Sequence, residues 1–167
     1  MSFIETDRLA LRMWMPGDAS AALAIFGDPE VMRLVQERPI IPEAIGEWIE
    51  RLMHQNEHGS MGLWPAILKN EKRVVGAFGL VTSPWGAVLE LRCFLERTSW
   101  DFGYATEAAL AIRDHAFSQL GAMRVYASID RANLRAVRLA HRLGFTFDRV
   151  VRIDRAETMR YLVMPPP

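Results

Sequence analysis

Cysteine and lysine are scarce in this chain of 167 residues. Its single cysteine, Cys93, excludes a disulfide bond within the chain and fits a reducing compartment, so we expect a cytoplasmic protein. Lysine occurs only at Lys69 and Lys72, and arginine therefore supplies nearly all of the positive charge. Because arginine is this common, one arginine by itself is weak evidence for a binding site.

Excess charge and long apolar runs are missing from the sequence as well. The formal net charge is zero at pH 7, so no global field would attract nucleic acid or an anionic membrane. No apolar run is long enough to span a bilayer, and Glu5 and Asp7 stand where a signal peptide would have its apolar core. We therefore expect no nucleic-acid or membrane partner, and a single domain over residues 1–167.

What the sequence does contain is an alternation of strand and helix patterns. Alternating apolar residues predict strands at 3–13, 63–68, 73–81, 88–95, 124–129, 145–152 and 158–164. Helical spacing of apolar residues predicts helices at 18–26, from 42 to a break at 59–62, at 105–120 and at 133–143, with a turn at 82–86. This order predicts a mixed α/β sheet with helices on both faces.

Three residues carry more local predictions. Asp18 and Asn133 each precede a predicted helix, where a side-chain oxygen can accept a hydrogen bond from the first turn, so both are predicted N-caps. Pro65 lacks a backbone N–H and would interrupt the hydrogen bonds of a central strand, which predicts an edge strand or a bulged strand at 63–68.

The stretch from 88 to 111 is the most informative part of the sequence. A predicted strand is followed by a polar link at 96–99, then by W-D-F-G-Y-A and a helix. The N terminus of a helix that follows a glycine turn presents unpaired N–H groups, and a phosphate is their usual anionic ligand. A plain connection between strand and helix is the alternative, since glycine before a helix is common.

Four segments together resemble the GNAT superfamily, and most closely its branch of ribosomal-protein N-terminal acetyltransferases. They are I-E-T-D-R-L-A-L-R-M at 4–13, D-P-E-V-M at 28–32, W-D-F-G-Y-A-T-E-A at 100–108 and N-L-R-A-V-R-L-A-H-R-L-G-F at 133–145. The resemblance implies an acetyl-CoA-dependent N-acyltransferase fold with a mostly antiparallel sheet. Two of its strands splay apart to hold the pantetheine arm of the cofactor, and the loop before the central helix holds the pyrophosphate.

In that family the loop reads Arg or Gln, two residues, Gly, one residue, then Gly or Ala. Gly103 and Ala105 match this pattern, whereas Trp100 stands in the first position and Asp101 and Phe102 replace the usual glycine and basic residue. A carboxylate facing a pyrophosphate would repel it, so we expect Asp101 to turn away and cap the helix, or else to weaken cofactor binding.

The resemblance also implies which residues bind the cofactor, and no metal is among its requirements. The expected set is Cys93, Phe94, Leu95, Trp100, Asp101, Phe102, Gly103, Tyr104, Ala105, Thr106, Asn133 and Arg138.

Glu90 is the candidate catalytic residue, because it occupies the strand position where this branch often places the carboxylate that takes a proton from the amine. It would act directly or through water. A backbone N–H of residues 93–95 would stabilise the oxyanion. The general acid is missing, since Ala136 and Ala140 stand where related enzymes have Ser or Tyr. Tyr126 and Tyr161 remain candidates by reach alone.

Four arginines would share a helical face if Arg131 lies in the helical frame: Arg131, Arg135, Arg138 and Arg142. They are interpreted either as a clamp for cofactor phosphates, with Arg138 the first candidate, or as a solvated basic face. Cys93 is interpreted as an inert thiol and not as the site of a covalent acyl intermediate.

Two functions are compatible with these features. The first is an N-acetyltransferase acting on a protein N terminus or a small amine, as a monomer or a homodimer. The alternative is an acyl-CoA-binding sensor or a degenerate relative without turnover, which the residues at Asp101, Ala136 and Ala140 would favour.

Overall fold

The computed structural model describes residues 2–35, 37–56, 61–82, 88–153 and 156–166. The strands are β1 (Ser2–Glu5), β2 (Leu9–Arg12), β3 (Gly62–Leu68), β4 (Arg73–Thr82), β5 (Leu89–Leu95), β6 (Val125–Asp130), β7 (Thr146–Ile153) and β8 (Ala156–Val163). The α-helices are α1 (Ala19–Phe26), α2 (Pro29–Arg33), α3 (Ile45–Asn56), α4 (Tyr104–Ser118) and α5 (Leu134–Arg142). Residues 59–60 of the predicted break and 83–86 of the predicted turn lie outside the described residues.

The eight strands form one sheet in the order β1-β2-β3-β4-β5-β6-β8-β7. Every neighbouring pair is antiparallel except β5 and β6, which are parallel. These two strands pair only at Leu89 with Val125 and at Glu90 with Tyr126 among the described residues. The sheet is therefore mixed and mostly antiparallel, as predicted. Beyond Glu90 the described residues of β5 and β6 no longer pair, and we call this separation of the two strands the fork.

Helices cover both faces of this sheet. Helices α1, α2 and α3 pack on one face over a core that includes Ile25, Phe26, Ile49, Ala77 and Phe94. Helices α4 and α5 pack on the other face, where Phe78, Leu91, Ala109, Ile112 and Ala140 are buried. The alternation along β5 decides which residues face which core, because successive side chains of a strand point to opposite faces.

An aromatic cluster fixes β5 against the first helix. The ring centroids of Phe26 and Phe94 lie 5.0 Å apart, and those of Phe26 and Trp48 lie 4.3 Å apart. Trp14 completes the cluster, with its indole N–H donating to the Leu63 carbonyl at 2.8 Å. Rigid aromatic packing on one side of β5 leaves the strand in a fixed position at the fork.

The prediction of one strand over 3–13 is wrong, because the chain turns within it. Thr6 donates its backbone N–H to the Leu9 carbonyl at 2.9 Å, and its hydroxyl oxygen accepts from the Leu9 N–H at 2.9 Å. The apolar alternation lies at 9–13, and the turn coincides with four consecutive polar residues at 5–8, a local signal that the prediction did not use.

Asp18 and Pro65 also differ from their predictions. Asp18 stands before α1, but its carboxylate accepts from the Met15 N–H at 2.9 Å and from Arg12 at 2.7 and 2.8 Å, and not from α1. Pro65 lies in β3, a strand flanked by β2 and β4 and so not at an edge. Pairing with β2 reaches only as far as Ala66, and an irregularity lies between Ala66 and Ile67, so the predicted bulge is confirmed.

No helix in the described part of the chain is both long enough and apolar enough to cross a membrane.

Candidate functional site

A cleft of about 340 Å³ lies beside the fork. Its walls are formed by α2, β5, α5 and the segment that leads into α4. Ten of the predicted cofactor residues line it: Cys93, Phe94, Leu95, Trp100, Asp101, Gly103, Ala105, Thr106, Asn133 and Arg138. The structure thus brings together residues from two strand-to-helix segments that are about thirty positions apart in the chain.

Phe102 and Tyr104 are the two predicted cofactor residues that do not line this cleft. Their rings stack on each other with centroids 5.8 Å apart, and the Arg8 guanidinium lies 4.6 Å from the Tyr104 ring. Phe102 is 61% exposed. These two aromatic residues therefore pack on the side of the loop that faces away from the cleft.

The loop itself has the left-handed backbone that a tight turn into a helix requires. Gly103 precedes α4 with φ of 83°, and Asp101 has φ of 69°, a value that residues other than glycine adopt rarely. Gly103, Ala105 and Thr106 line the cleft, so the first turn of α4 opens onto it. The N–H groups that a helix leaves unpaired at its N terminus are available to an anion at this point.

Glu107 and Arg8 hold the loop in place, and sequence reasoning assigned no role to Arg8. The Glu107 carboxylate accepts from the Thr6 hydroxyl at 2.5 Å, from the Arg8 N–H at 2.8 Å and from Arg8 Nε at 2.6 Å. Arg8 Nη1 also donates to the Phe102 carbonyl at 3.0 Å. Burial raises the pKa of Glu107, but the hydrogen bonds from Thr6 and Arg8 outweigh it and leave this pKa below its usual value.

Asp101 does not cap α4, which corrects the first expectation for this residue. The helix begins after Gly103 without a side-chain cap, and the Asp101 carboxylate accepts from Arg135 Nη1 at 2.5 Å. The Arg135 guanidinium also lies 4.9 Å from the Trp100 ring. Asp101 therefore faces α5 across the cleft and neutralises one of the cations that line it.

The arginines of α5 are only partly a common face. Helix α5 begins at Leu134, so Arg131 lies outside the helical frame that would align it with the others. Arg135, Arg138 and Arg142 all line the cleft. Among the described residues, an ion pair is found for Arg135 but not for Arg138 or Arg142.

Asn133 caps α5, as predicted, through its side-chain oxygen, which accepts from the Ala136 N–H at 3.0 Å. Its amide group donates to the Leu34 carbonyl at 3.3 Å. This second contact connects the start of α5 with the end of α2, where Leu34 and Val35 line the cleft. The sequence did not predict this contact, because only the tertiary fold brings the two segments together.

Glu90 stands at the fork, in the last pair that joins β5 to β6. It is 5% exposed, and its nearest cation is Arg92, with Nη1 lying 3.9 Å from Oε1. Burial raises the pKa of Glu90, and this effect is partly opposed by Arg92, by hydrogen bonds from Ser128 and by Arg160. A carboxylate in this environment is a stronger base than one in water.

The candidates for a general acid do not line the cleft. The Tyr126 hydroxyl accepts from Arg124 Nη1 at 3.3 Å, and Tyr161 is buried with its ring against His141 and Phe147. Cys93 does line the cleft and is partly buried, but desolvation raises the pKa of its thiol to about 12. Such a thiol is almost entirely protonated at neutral pH.

In the part of the chain that the structure describes, no group of three or more His, Cys, Asp or Glu residues is arranged to hold a metal ion.

Comparison with known proteins agrees with this geometry. A family model described as an acetyltransferase (GNAT) domain matches residues 8–146. The uncharacterized N-acetyltransferase p20 of Bacillus licheniformis is 25% identical over 155 residues, which cover 91% of this chain and 86% of that protein.

Two solved structures show the same fold. A GNAT-family acetyltransferase from Bacillus anthracis superposes with a TM-score of 0.85 at 20% identity, over 96% of this chain and 97% of its own. A spermidine N-acetyltransferase from Vibrio cholerae, solved with CoA and spermine, superposes with a TM-score of 0.78 at 17% identity, over 95% of this chain and 96% of its own. Because the family model spans most of the sequence, the chain belongs to the GNAT acetyltransferase family.

Proposed function

We propose that this protein is an acetyl-CoA-dependent N-acetyltransferase that moves an acetyl group to a primary amine by direct attack in a ternary complex. The observation that carries the proposal is the position of Glu90. It is a buried carboxylate in the last β5–β6 pair and does not line the cleft itself, but residues 93–95 of the same strand do, beside the donors and cations that an anionic cofactor needs.

The residues of the cleft fit coenzyme A, which supplies an activated thioester and a pyrophosphate. Gly103 has no side chain and allows the backbone to approach the phosphates closely. Arg138 and Arg142 line the cleft without an ion pair in the described residues, so they would bind phosphate oxygens with their forked donors. An anion bound in the cleft would form ion pairs with these two arginines.

Beyond Glu90, the edge of β5 that faces β6 has no strand partner among the described residues. Backbone N–H groups on this edge are therefore available to a ligand between the strands. We assign one of them, in the segment 93–95, to the thioester oxygen, where it would stabilise the negative charge that develops during attack.

Glu90 would accept the proton of the acceptor amine, directly or through a water molecule. Its raised pKa makes it a better base, while Arg92 and Ser128 favour the ionised form that a base requires. The departing thiolate needs no dedicated acid for turnover, since a thiol pKa of about 8–9 makes it an adequate leaving group at neutral pH. This is compatible with Ala136 and Ala140 in place of the acids of related enzymes.

The acceptor in this proposal is a protein N terminus, as in the ribosomal-protein branch that the sequence resembles, or a small amine. Fold relatives include an enzyme whose structure contains spermine, which keeps small amines among the candidates. We also propose that residues 1–167 form one domain, active in the cytoplasm as a monomer or a homodimer.

The test is release of thiol from acetyl-CoA in the presence of a mixed panel of amines, with mass-spectrometric identification of the acetylated product. We expect release that depends on an amine, and we expect Glu90→Gln to reduce it strongly without preventing cofactor binding. Binding of acetyl-CoA without release by any amine would favour the alternative, an acyl-CoA sensor or a degenerate relative.

A further inference from the structure

Arg92 is the charged residue closest to the buried Glu90, and it is reached more easily from solvent. Both side chains project from the same face of β5, because the residues are two positions apart. The Arg92 side chain is 31% exposed, whereas that of Glu90 is 7% exposed. An acceptor that brings its amine to Glu90 therefore comes within reach of the Arg92 guanidinium.

The two cations near Glu90 differ in how firmly they are paired. Arg160 donates to Asp148 from Nε at 2.8 Å and from Nη2 at 2.7 Å, and its side chain is only 13% exposed. Arg92 donates from Nη2 to Glu37, whose side chain is 49% exposed. Ion pairs with an exposed partner contribute little to stability, so Arg92 can exchange Glu37 for another carboxylate at low cost.

We propose that Arg92 determines acceptor specificity, by binding a carboxylate that the acceptor carries a few bonds from its amine. The substrate class is therefore an amino acid or a peptide with an acidic group next to its N terminus. Glu37 occupies Arg92 until such a carboxylate replaces it. This inference rests on the proposed transferase function and adds the chemistry of its acceptor.

The spacing of the two groups supports this assignment. With 3.9 Å between Arg92 Nη1 and Glu90 Oε1, one small molecule can place its amine at Glu90 and its carboxylate at Arg92. The guanidinium is suited to a carboxylate because it offers parallel N–H donors. A polycation such as spermidine has no carboxylate to exchange with Glu37, so it would gain no contact with the Arg92 guanidinium.

The experiment compares acceptors that differ only in the carboxylate: glycine with glycinamide, β-alanine with β-alaninamide, and a dipeptide with an acidic second residue with its neutral analogue. Spermidine is included as the cationic acceptor. The measured quantity is the ratio of kcat/KM for each carboxylate acceptor to that for its neutral analogue. We expect a ratio well above one, although the amine of each amide is less basic and therefore more of it is unprotonated.

Two variants isolate the role of Arg92. Arg92→Gln should lower the ratio by about tenfold or more, because it removes a charge-assisted hydrogen bond. Arg92→Lys should restore part of it. An effect of Arg92 on the ionisation of Glu90 changes both members of a pair equally, so it cancels in the ratio. Glu37→Gln should raise kcat/KM for carboxylate acceptors a few-fold, since it frees the guanidinium.

Arg152→Gln is the matched control, because Arg152 is an exposed arginine paired with Glu157 at the far end of the sheet. It should leave the ratio unchanged. A wild-type preference for spermidine or for neutral amines, or a ratio that Arg92→Gln does not change, would overturn the inference while the transferase function stands. No thiol release with any amine would instead contradict the proposed function itself.

Discussion

In the proposed function, acetyl-CoA binds on one side of the fork, the donor side, and the amine binds on the other, the acceptor side, and the two sides are built in different ways. The donor side consists of one continuous segment, residues 100–106, together with α5, and much of its binding capacity is backbone geometry. The acceptor side consists of Glu90 and Arg92 on β5, Ser128 on β6 and Glu37 from the segment between α2 and α3. A local motif can specify the first, whereas only the complete fold specifies the second.

The donor side and the acceptor side also differ in how their charged residues are paired. The donor side keeps two cations, Arg138 and Arg142, that have no ion pair among the described residues. On the acceptor side, Arg92 already interacts with both Glu90 and Glu37. The donor side is thus prepared for an anion that comes from outside the protein, and the acceptor side is prepared for a ligand that exchanges with internal charges.

The largest expected effect tests the backbone of the donor side. Gly103→Val should abolish measurable binding of coenzyme A, because a β-branched residue disfavours the left-handed turn that directs the N–H groups of α4 at the pyrophosphate. Its Cβ would also lie 3.4 Å from Nη2 of Arg8, the residue that holds the loop. The left-handed φ of 83° also makes the substitution cost about 1–3 kcal/mol of stability. Isothermal titration calorimetry with coenzyme A measures the loss.

Gly121→Val provides the control for strain, since Gly121 has φ of 62° and nothing within 4 Å of an added Cβ. Both variants should lose similar stability, but only Gly103→Val should lose affinity. Equal affinity in the two variants would remove the loop from the cofactor site.

The second effect tests the base on the acceptor side. Glu90→Gln should lower kcat at neutral pH by about 100-fold or more, the usual contribution of a general base. The affinity for acetyl-CoA should change little, and the loss should shrink at high pH, where the amine is already unprotonated. Identical pH–rate profiles for wild type and variant would show that Glu90 is not the base.

Glu90 should also have a signature in stability. Because burial raises its pKa, its contribution to stability is fully present below the pKa of the unfolded chain and is lost as pH rises through the folded pKa. Glu90→Gln removes that loss, so the variant should unfold at a higher temperature than wild type near neutral pH. Below about pH 4 the difference should disappear. Thermal unfolding at both pH values measures it.

The sequence predicted the donor side better than the acceptor side. Gly103, Ala105 and the cap at Asn133 were found because local conformation and a short motif determine them. The pairing of Arg8 with Glu107 and of Arg92 with Glu37 joins residues from distant segments. With arginine supplying nearly all of the positive charge, composition gave no way to choose these partners.

Asp101 shows the limit of a motif most clearly. The sequence identified it as a departure from the family pattern, but its direction depends on Arg135, which follows 34 residues later. The turn within 3–13 was missed for a different reason, because the polar run at 5–8 and the local hydrogen bonds between Thr6 and Leu9 mark it within the segment itself.

A smaller effect is expected from Asp101→Asn, which frees Arg135 for the cofactor. Since the Asp101 side chain is 76% exposed, the gain in affinity for coenzyme A should be only about two- to fivefold. It should be larger at low ionic strength, where screening is weaker. Asparagine tolerates the left-handed backbone at this position, so the fold should be retained.

Titration with coenzyme A at two salt concentrations measures this effect, with Asp114→Asn as the control, because Asp114 pairs with Arg113 on α4 away from the cleft residues. Weaker binding by Asp101→Asn would mean that the carboxylate supports the cofactor site.

The last prediction concerns the reactivity of Cys93 and not the activity of the enzyme. Because its pKa is raised to about 12, we expect iodoacetamide to modify it at least about 100-fold more slowly in the native protein than in the unfolded chain at neutral pH. Intact-mass spectrometry over time measures both rates. Rapid modification of the native protein would reopen a covalent route through this thiol.

Direct transfer between the two sides of the fork is the central claim, and the balance of acetyl groups tests it most directly. Protein, acetyl-CoA and a carboxylate-bearing amine are mixed, and intact protein, free thiol and acetylated amine are quantified together. We expect equal amounts of thiol and acetylated amine, no release without the amine, and no acetyl group on the protein at any time. A protein-bound acetyl group that forms before the product, or cofactor binding without product, would contradict it.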